Sequence, residues 1–355
     1  MKNTLLSLVG LFLILQLNAQ KYKSGSTNIN HTDSIFLINL PQLRLPDYLK
    51  GPDAKTLPSV FDYAESPFLR PVFQQYLYSC GQASSIGYNF TFEINRVRNL
   101  PSDDTANQYP PVFTWNFFNN AEPYQGVCFY YTFEAVKSNG HPNYTAYGGM
   151  GDSEYKWMTG YDNYYSGMFN RISDVYSIYV GNPEGIETLK HWIFDHLNGS
   201  EFGGLANFYT DSGGLNLLPA GTPEEGKHVT TQWGPYTGHS MTIIGWNDSI
   251  RWDYNNDGQY TNDIDINGDS IVDLKDWEIG GFKYINSHGV TFADSGFCYM
   301  MYKTVAEEKP PAGIWNKSVY VLTVKEDYSP KITFKVKLKY NFRNKLKISA
   351  GVSSD

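Results

Sequence analysis

Halfway along this chain the period of the hydrophobic pattern changes, and that change limits the folds open to it. In "CGQASSIGYNFTFEINRVR" the residues Ala83, Ile86, Phe90 and Ile94 recur at near-helical spacing, while Arg96 and Arg98 suit the negative pole of a helix that begins at Cys80. A second helix is expected at "YYTFEAVKSNG" with Gly140 as its stop, and a third at "GIETLKHWIFDHLNG" with Gly199 as its stop. Further on, "HSMTIIGW", "GFKYINSHG" and "GFCYMMYKTV" are rich in β-branched and aromatic residues bounded by Gly or Asn, and read as strands. A helix-rich half followed by a strand-rich half is an α+β arrangement. With 28 Tyr, 21 Phe and 8 Trp in 355 residues, there is material for one large core and a smaller one, and disorder is excluded for the chain as a whole.

The two ends read differently from the middle. "MKNTLLSLVGLFLILQLNAQ" has a basic second residue, an apolar run from Leu5 to Leu15 and a small residue at Ala19, so residues 1–19 are expected to be a secretory signal cleaved before Gln20. That implies an exported protein, secreted or periplasmic. No later stretch has the roughly 18 to 20 apolar residues needed to span a bilayer, so no membrane span is expected. Residues 20–56 are polar, with scattered Pro and Gly, and read as a leader or linker. The globular part is expected over residues 57–308. Near the other end "KITFKVKLKY" alternates strictly, with Ile332, Phe334, Val336, Leu338 and Tyr340 on one face and three lysines on the other. With "NKLKISAG" it would make a hairpin, so residues 309–355 are expected to begin a β-rich accessory module.

Cys80, Cys128 and Cys298 are an odd number in a chain expected to meet an oxidising compartment, so at least one thiol is free or pairs between chains. Cys128 and Cys298 are expected to be structural, buried or paired. Cys80 is placed differently: at the first turn of a helix it meets unpaired N–H groups and the positive dipole end, which favour thiolate over thiol. A thiolate nucleophile needs a base within hydrogen-bond reach and a third group to hold the base. "YTGHSMTIIGWND" offers His239 at the entry to an apolar strand, and "FKYINSHGV" offers Asn286 at the exit of another. His141, His191 and His228 have no such context.

Together these pieces resemble the papain-like cysteine peptidases. The mature enzymes of that family open with a Leu-Pro segment and an Asp, matched by "LPSVFDY" with Asp62. "PVFQQYLYSC", "GHSMTIIGW", "NSHG" and "SGFCYMMY" then match the family's motifs in order, over roughly residues 57–305. The resemblance implies a two-lobed fold, with a helical lobe, a β-barrel-like lobe and an active-site cleft between them. It also implies cleavage of peptide bonds in a protein or peptide substrate, with Cys80 as nucleophile, His239 as base and later acid, and Asn286 orienting the imidazole. The glutamine that stabilises the oxyanion is Gln75 when anchored on Pro71-Val72, the preferred reading, or Gln74 when counted back from the cysteine. Gly81 stands where an aromatic residue usually follows the nucleophile, and His288 where a Trp usually screens the His–Asn pair. Cys80 and His239 are further apart in sequence than the roughly 130 to 150 residues of papain and its closest relatives. Residues 20–56 are too short for the family's long helical propeptide. The departures leave a second reading, a papain-like scaffold without turnover that binds a peptide or glycan.

The net charge of -8 is concentrated rather than spread, since residues 253–278 hold seven Asp and one Glu against one Lys. Within this insertion, residues 251–278, Asp265, Asn267, Asp269, Asp273 and Asp276 fall at positions 1, 3, 5, 9 and 12 of a calcium loop, with Ile271 at the backbone-carbonyl position. Ser270 at position 6 and Asp276 at position 12 make it resemble dockerin-type loops more than sensor hands. Asp253, Asn255 and Asp257 begin a second half-loop that Asp263 would close. Structural calcium is therefore expected, steadying the strands that carry His239 and Asn286; no organic cofactor is expected. No basic stripe with interleaved aromatics suggests a nucleic acid partner.

Overall fold

The computed structural model describes residue 29 and residues 31–51, 56–150, 153, 155–211, 213–309 and 312–341. The expected signal segment and "NKLKISAG" lie outside the described residues.

Among the described residues ten strands form one sheet: β1 (Gln42–Leu43), β2 (Val60–Asp62), β3 (Ile172–Tyr179), β4 (Ala206–Thr210), β5 (Gly213–Leu217), β6 (His228–Trp233), β7 (His239–Arg251), β8 (Ile279–Ile285), β9 (Phe297–Met301) and β10 (Ser318–Val324). Their order is β1-β3-β10-β4-β7-β8-β9-β6-β5, with β2 paired to β7. β7 is the hub. Its first residues pair with β4, Thr210 opposite His239, and its later ones pair with β8, Thr242 opposite Ile285. His239 at the start of β7 and Asn286 just past the end of β8 are thereby brought to one end of the sheet.

The first expected helix forms over residues 80–98, but in three windings: Cys80–Gln82, a π-helical stretch Ala83–Phe90, and Thr91–Arg98. Every residue from Ser79 to Asn95 is buried, as befits a helix enclosed on all sides. Ile86, Phe90 and Ile94 pack with Phe129, Phe133 and Val136 in the helical lobe, whereas Tyr88 and Phe92 enter the core beneath the sheet. One helix thus serves both lobes, and the wider winding accompanies that double duty. The second helix, Phe129–Asn139, stops at Gly140 as expected, with φ 81°. The third, Pro183–Asp195, ends before Gly199 because His196 takes the left-handed cap conformation at φ 56° while its ring meets the buried Glu93.

Three segments depart from the sequence reading. The leader contributes helix His31–Ile38 and strand β1, which runs parallel to β3, and buries Leu37 in the helical core. β10, assigned from sequence to a separate module, is an interior strand between β3 and β4. The alternating stretch 332–340 has no ladder partner among the described residues, and Ile332, Phe334, Val336, Leu338 and Tyr340 are each more than half exposed. Alternation makes a strand only where a neighbour supplies the hydrogen bonds. The end of "GFCYMMYKTV" also turns helical, at Lys303–Ala306.

Candidate active site

Cys80 is the first residue of its helix, so its N–H has no partner one turn back. Its Sγ lies 3.8 Å from the Gly238 carbonyl oxygen, and the Ser240 N–H also reaches it. The sulfur therefore rests against the backbone on both sides of His239. Helix and strand are pinned there by the Ser84 and Ser240 hydroxyls, 2.7 Å apart, and by the Thr242 hydroxyl donating to the Ser84 carbonyl at 3.1 Å.

Asn286 is buried, and its Oδ1 lies 2.9 Å from Nε2 of His239. The Ser287 N–H donates to the same oxygen at 2.7 Å, so that atom is an acceptor and Nε2 carries the imidazole proton. Nδ1 is left as the basic nitrogen. The Tyr88 hydroxyl donates to the Asn286 carbonyl at 3.2 Å, and the Asn286 N–H donates to Gly296 at 3.0 Å.

Gln75 is bound into the same loop. Its N–H donates to the Ser287 carbonyl at 2.7 Å, its Oε1 accepts from the Ser287 hydroxyl at 2.6 Å, and its Nε2 donates to the Leu77 carbonyl at 2.6 Å. Gln74 instead makes a backbone bridge to His288 on the outer side. His288 stacks on His239 with ring centres 4.8 Å apart and planes at 26°, and Phe292 meets the edge of His288. Continuing the β7–β8 register three residues past the ladder sets His288 opposite His239, which accounts for the stack. Gly81 is explained as well: a Cβ there would lie 2.4 Å from the Val127 carbonyl oxygen, leaving no room for an aromatic side chain.

The electrostatics differ from the sequence expectation. Burial pushes the Cys80 thiol up, against the stabilising N–H groups of Ser240, Gly81 and Cys80 itself. Burial, helped by the neighbouring His288, pushes His239 down to about 4, against its bond to Asn286 and the charge of Asp211. Desolvation outweighs the helix dipole, so both groups rest neutral here. All three cysteines are free thiols, with Cys298 buried and Cys128 half-buried; burial pushes each of those two up to about 12.

The acidic insertion folds into turns. Asp265 accepts from the Gly268 and Ser270 N–H groups, Asn267 from Asp269, Asp269 from Ile271, and buried Asp276 from Ile266, Asn267 and Asp273. In the half-loop that begins at Asp253, that residue accepts from the Asp257 and Gly258 N–H groups. The Lys275 ammonium sits 3.3 Å from Asp269 and 3.5 Å from Asp273. Among the described residues no three His, Cys, Asp or Glu side chains are grouped to hold a metal ion. The insertion joins the far ends of β7 and β8, so the seven residues of β8 separate it from Asn286, roughly 20 Å at ~3.3 Å per residue. Any steadying of His239 and Asn286 by the insertion would act along the length of β7 and β8.

Sequence reasoning missed Tyr88, Ser84 and Asp211. Tyr88 and Ser84 lie on the helix among apolar neighbours and Asp211 just past β4, and no local pattern marks them.

No family model and no curated protein matches this chain. Solved structures do. Xylellain, a cysteine protease from Xylella fastidiosa, aligns with 81% of this chain and 92% of its own at 12% identity and a TM-score of 0.51. A digestive procathepsin L2 proteinase from Tenebrio molitor larval midgut aligns with 81% of this chain and 75% of its own at 16% identity and a TM-score of 0.48. The chain has the two-lobed α+β fold of the papain-like proteases. Xylellain is a particular protein that it is similar to in this way. No helix among the described residues is long and apolar enough to cross a membrane.

Proposed function

We propose that this chain is an exported cysteine peptidase that cleaves peptide bonds through Cys80, His239 and Asn286. The observation that carries the reading is the 2.9 Å bond from His239 to Asn286, with the Cys80 sulfur held against the backbone on either side of that histidine. His239 takes the Cys80 proton on Nδ1 as the sulfur attacks the scissile carbonyl. The imidazolium then protonates the leaving amine, and water, activated by the same ring, hydrolyses the thioester. The Gln75 amide has a second N–H beyond the one given to Leu77, and with the Cys80 N–H it would donate to the developing oxyanion. Digestion of a peptide library by the wild type and by Cys80→Ala tests this: the account expects cleavage by the first and none by the second, and equal cleavage by both would overturn it.

The neutral resting pair favours one rival, a scaffold that binds a peptide or glycan without turnover. In that case the wild type leaves the library intact while still retaining peptide or glycan.

The Asp265–Asp276 loop is proposed to hold calcium through Asp265, Asn267, Asp269, the Ile271 carbonyl, Asp273 and Asp276, with Asp253, Asn255, Asp257 and Asp263 as a second, partial set. The reading rests on the spacing of these residues in the sequence, and Lys275 supplies positive charge to two of them, Asp269 and Asp273. Calcium there would stiffen the insertion. Calorimetry showing no calcium uptake, with an unchanged Tm in chelator, would remove the idea.

A further inference from the structure

Among the described residues, Arg70 is a buried cation without an anion. Only 5% of its surface is exposed, and its Nε and Nη1 are enclosed with no acceptor. Its guanidinium lies over the Phe73 ring, 3.8 Å from the centre, and Phe73 packs on Tyr88 with ring centres 4.8 Å apart. Burial lowers its pKa to about 10, which leaves it protonated at neutral pH. An aromatic face offsets part of a buried charge, but buried guanidinium groups are as a rule also matched by a carboxylate or another acceptor. The titratable side chain that acts on it is the Tyr88 hydroxyl, which is neutral at pH 7.

The position is not remote from the chemistry. The Phe73 N–H donates to the Tyr88 hydroxyl at 3.3 Å, and that hydroxyl donates to the Asn286 carbonyl. The Gly289 N–H donates to the Phe73 carbonyl at 3.2 Å, and two residues on, Gln75 bonds to Ser287. Arg70 therefore anchors the segment that supports the loop 286–289 from behind.

We propose that Arg70 is an anion-binding site, in which a small inorganic anion of the halide class docks on the guanidinium and balances its charge behind that loop. The anion is a structural ligand, so the inference stands apart from the peptidase reading and is tested without an activity assay. Thermal unfolding is followed at fixed ionic strength as sodium chloride replaces sodium gluconate. The expected result is a saturable rise in Tm of about a few degrees for the wild type, and none for Arg70→Met, which removes the charge and keeps the apolar stem. Crystals grown in sodium bromide are expected to show an anomalous peak within hydrogen-bond reach of Arg70. That second measurement uses only the wild type, so it decides the matter even if the variant does not fold. A wild-type Tm indifferent to the choice of anion, a chloride response kept in full by Arg70→Met, or a bromide map with only water at Arg70 would overturn the proposal.

Discussion

His288 covers one face of His239, and its stacked ring both dries that imidazole and opposes a second positive charge. Those two effects hold His239 at about 4. Replacing His288 with Ala lets water in and removes the neighbouring imidazole, and both changes favour the imidazolium. The His239 midpoint, followed by NMR of its ring protons, is therefore expected to move up from about 4 towards the ordinary histidine value of roughly 6.5; a midpoint that stays or falls contradicts this account. Residues of this kind were legible in unequal measure. Cys80, His239 and Asn286 each sit in a short local motif, so the sequence marks them directly. The use of Gly81 depends on a carbonyl at Val127, and that of Tyr88 on a loop 198 residues away, so neither function is written locally.

The helix over residues 80–98 and strand β7 meet through small polar groups rather than a greasy seam. Ser84 and Ser240 share a buried hydrogen bond of 2.7 Å, beside Thr242, and further along Asn89 donates to Asn207 of the neighbouring β4 at 2.8 Å. Small hydroxyls let the helix approach the sheet closely enough to set Cys80 beside Gly238. Removing the Ser84 hydroxyl leaves that of Ser240 enclosed and unsatisfied, whereas Ser84 keeps its bond to the Gly81 carbonyl at 3.1 Å when Ser240 loses its own, so Ser84→Ala is expected to cost about 1–3 kcal/mol, Ser240→Ala less, and the double variant less than their sum. Denaturant unfolding of the four proteins measures the cycle; strict additivity would show that the two hydroxyls do not work as a pair. The helix itself was readable from its period, but its π winding was not, because the winding answers to two cores on opposite sides. The strand-like alternation of 332–340 misled for a related reason, since a ladder needs a neighbour that local sequence does not supply.

Across the molecule, the order helix-rich then strand-rich was visible in the sequence, whereas the closing of the chain on itself was not: the leader's β1 and the late β10 both join the sheet beside β3. Beneath that region His141 is fully enclosed by Phe90, Tyr109 and Phe113, with its Nδ1 on the Pro142 carbonyl, and burial pushes it down to about 3. In the unfolded chain a histidine takes up its proton near 6.5. Between that pH and about 3 the unfolded state binds the extra proton and the folded state does not, so stability is full above 6.5 and declines as pH falls through this window. Tm measured from pH 7 down to 4 is expected to fall in the wild type and to fall less steeply in His141→Phe. Parallel slopes would remove His141 from the explanation.

The account rests on Cys80, His239 and Asn286 acting as one reactive unit, and the rate at which an epoxysuccinyl peptide labels each cysteine, mapped by mass spectrometry, tests it most directly. The prediction is labelling at Cys80 ahead of Cys128 and Cys298, slowed by roughly 10²-fold or more in His239→Ala. Labelling of all three thiols at similar rates, or a Cys80 rate indifferent to His239, would contradict it.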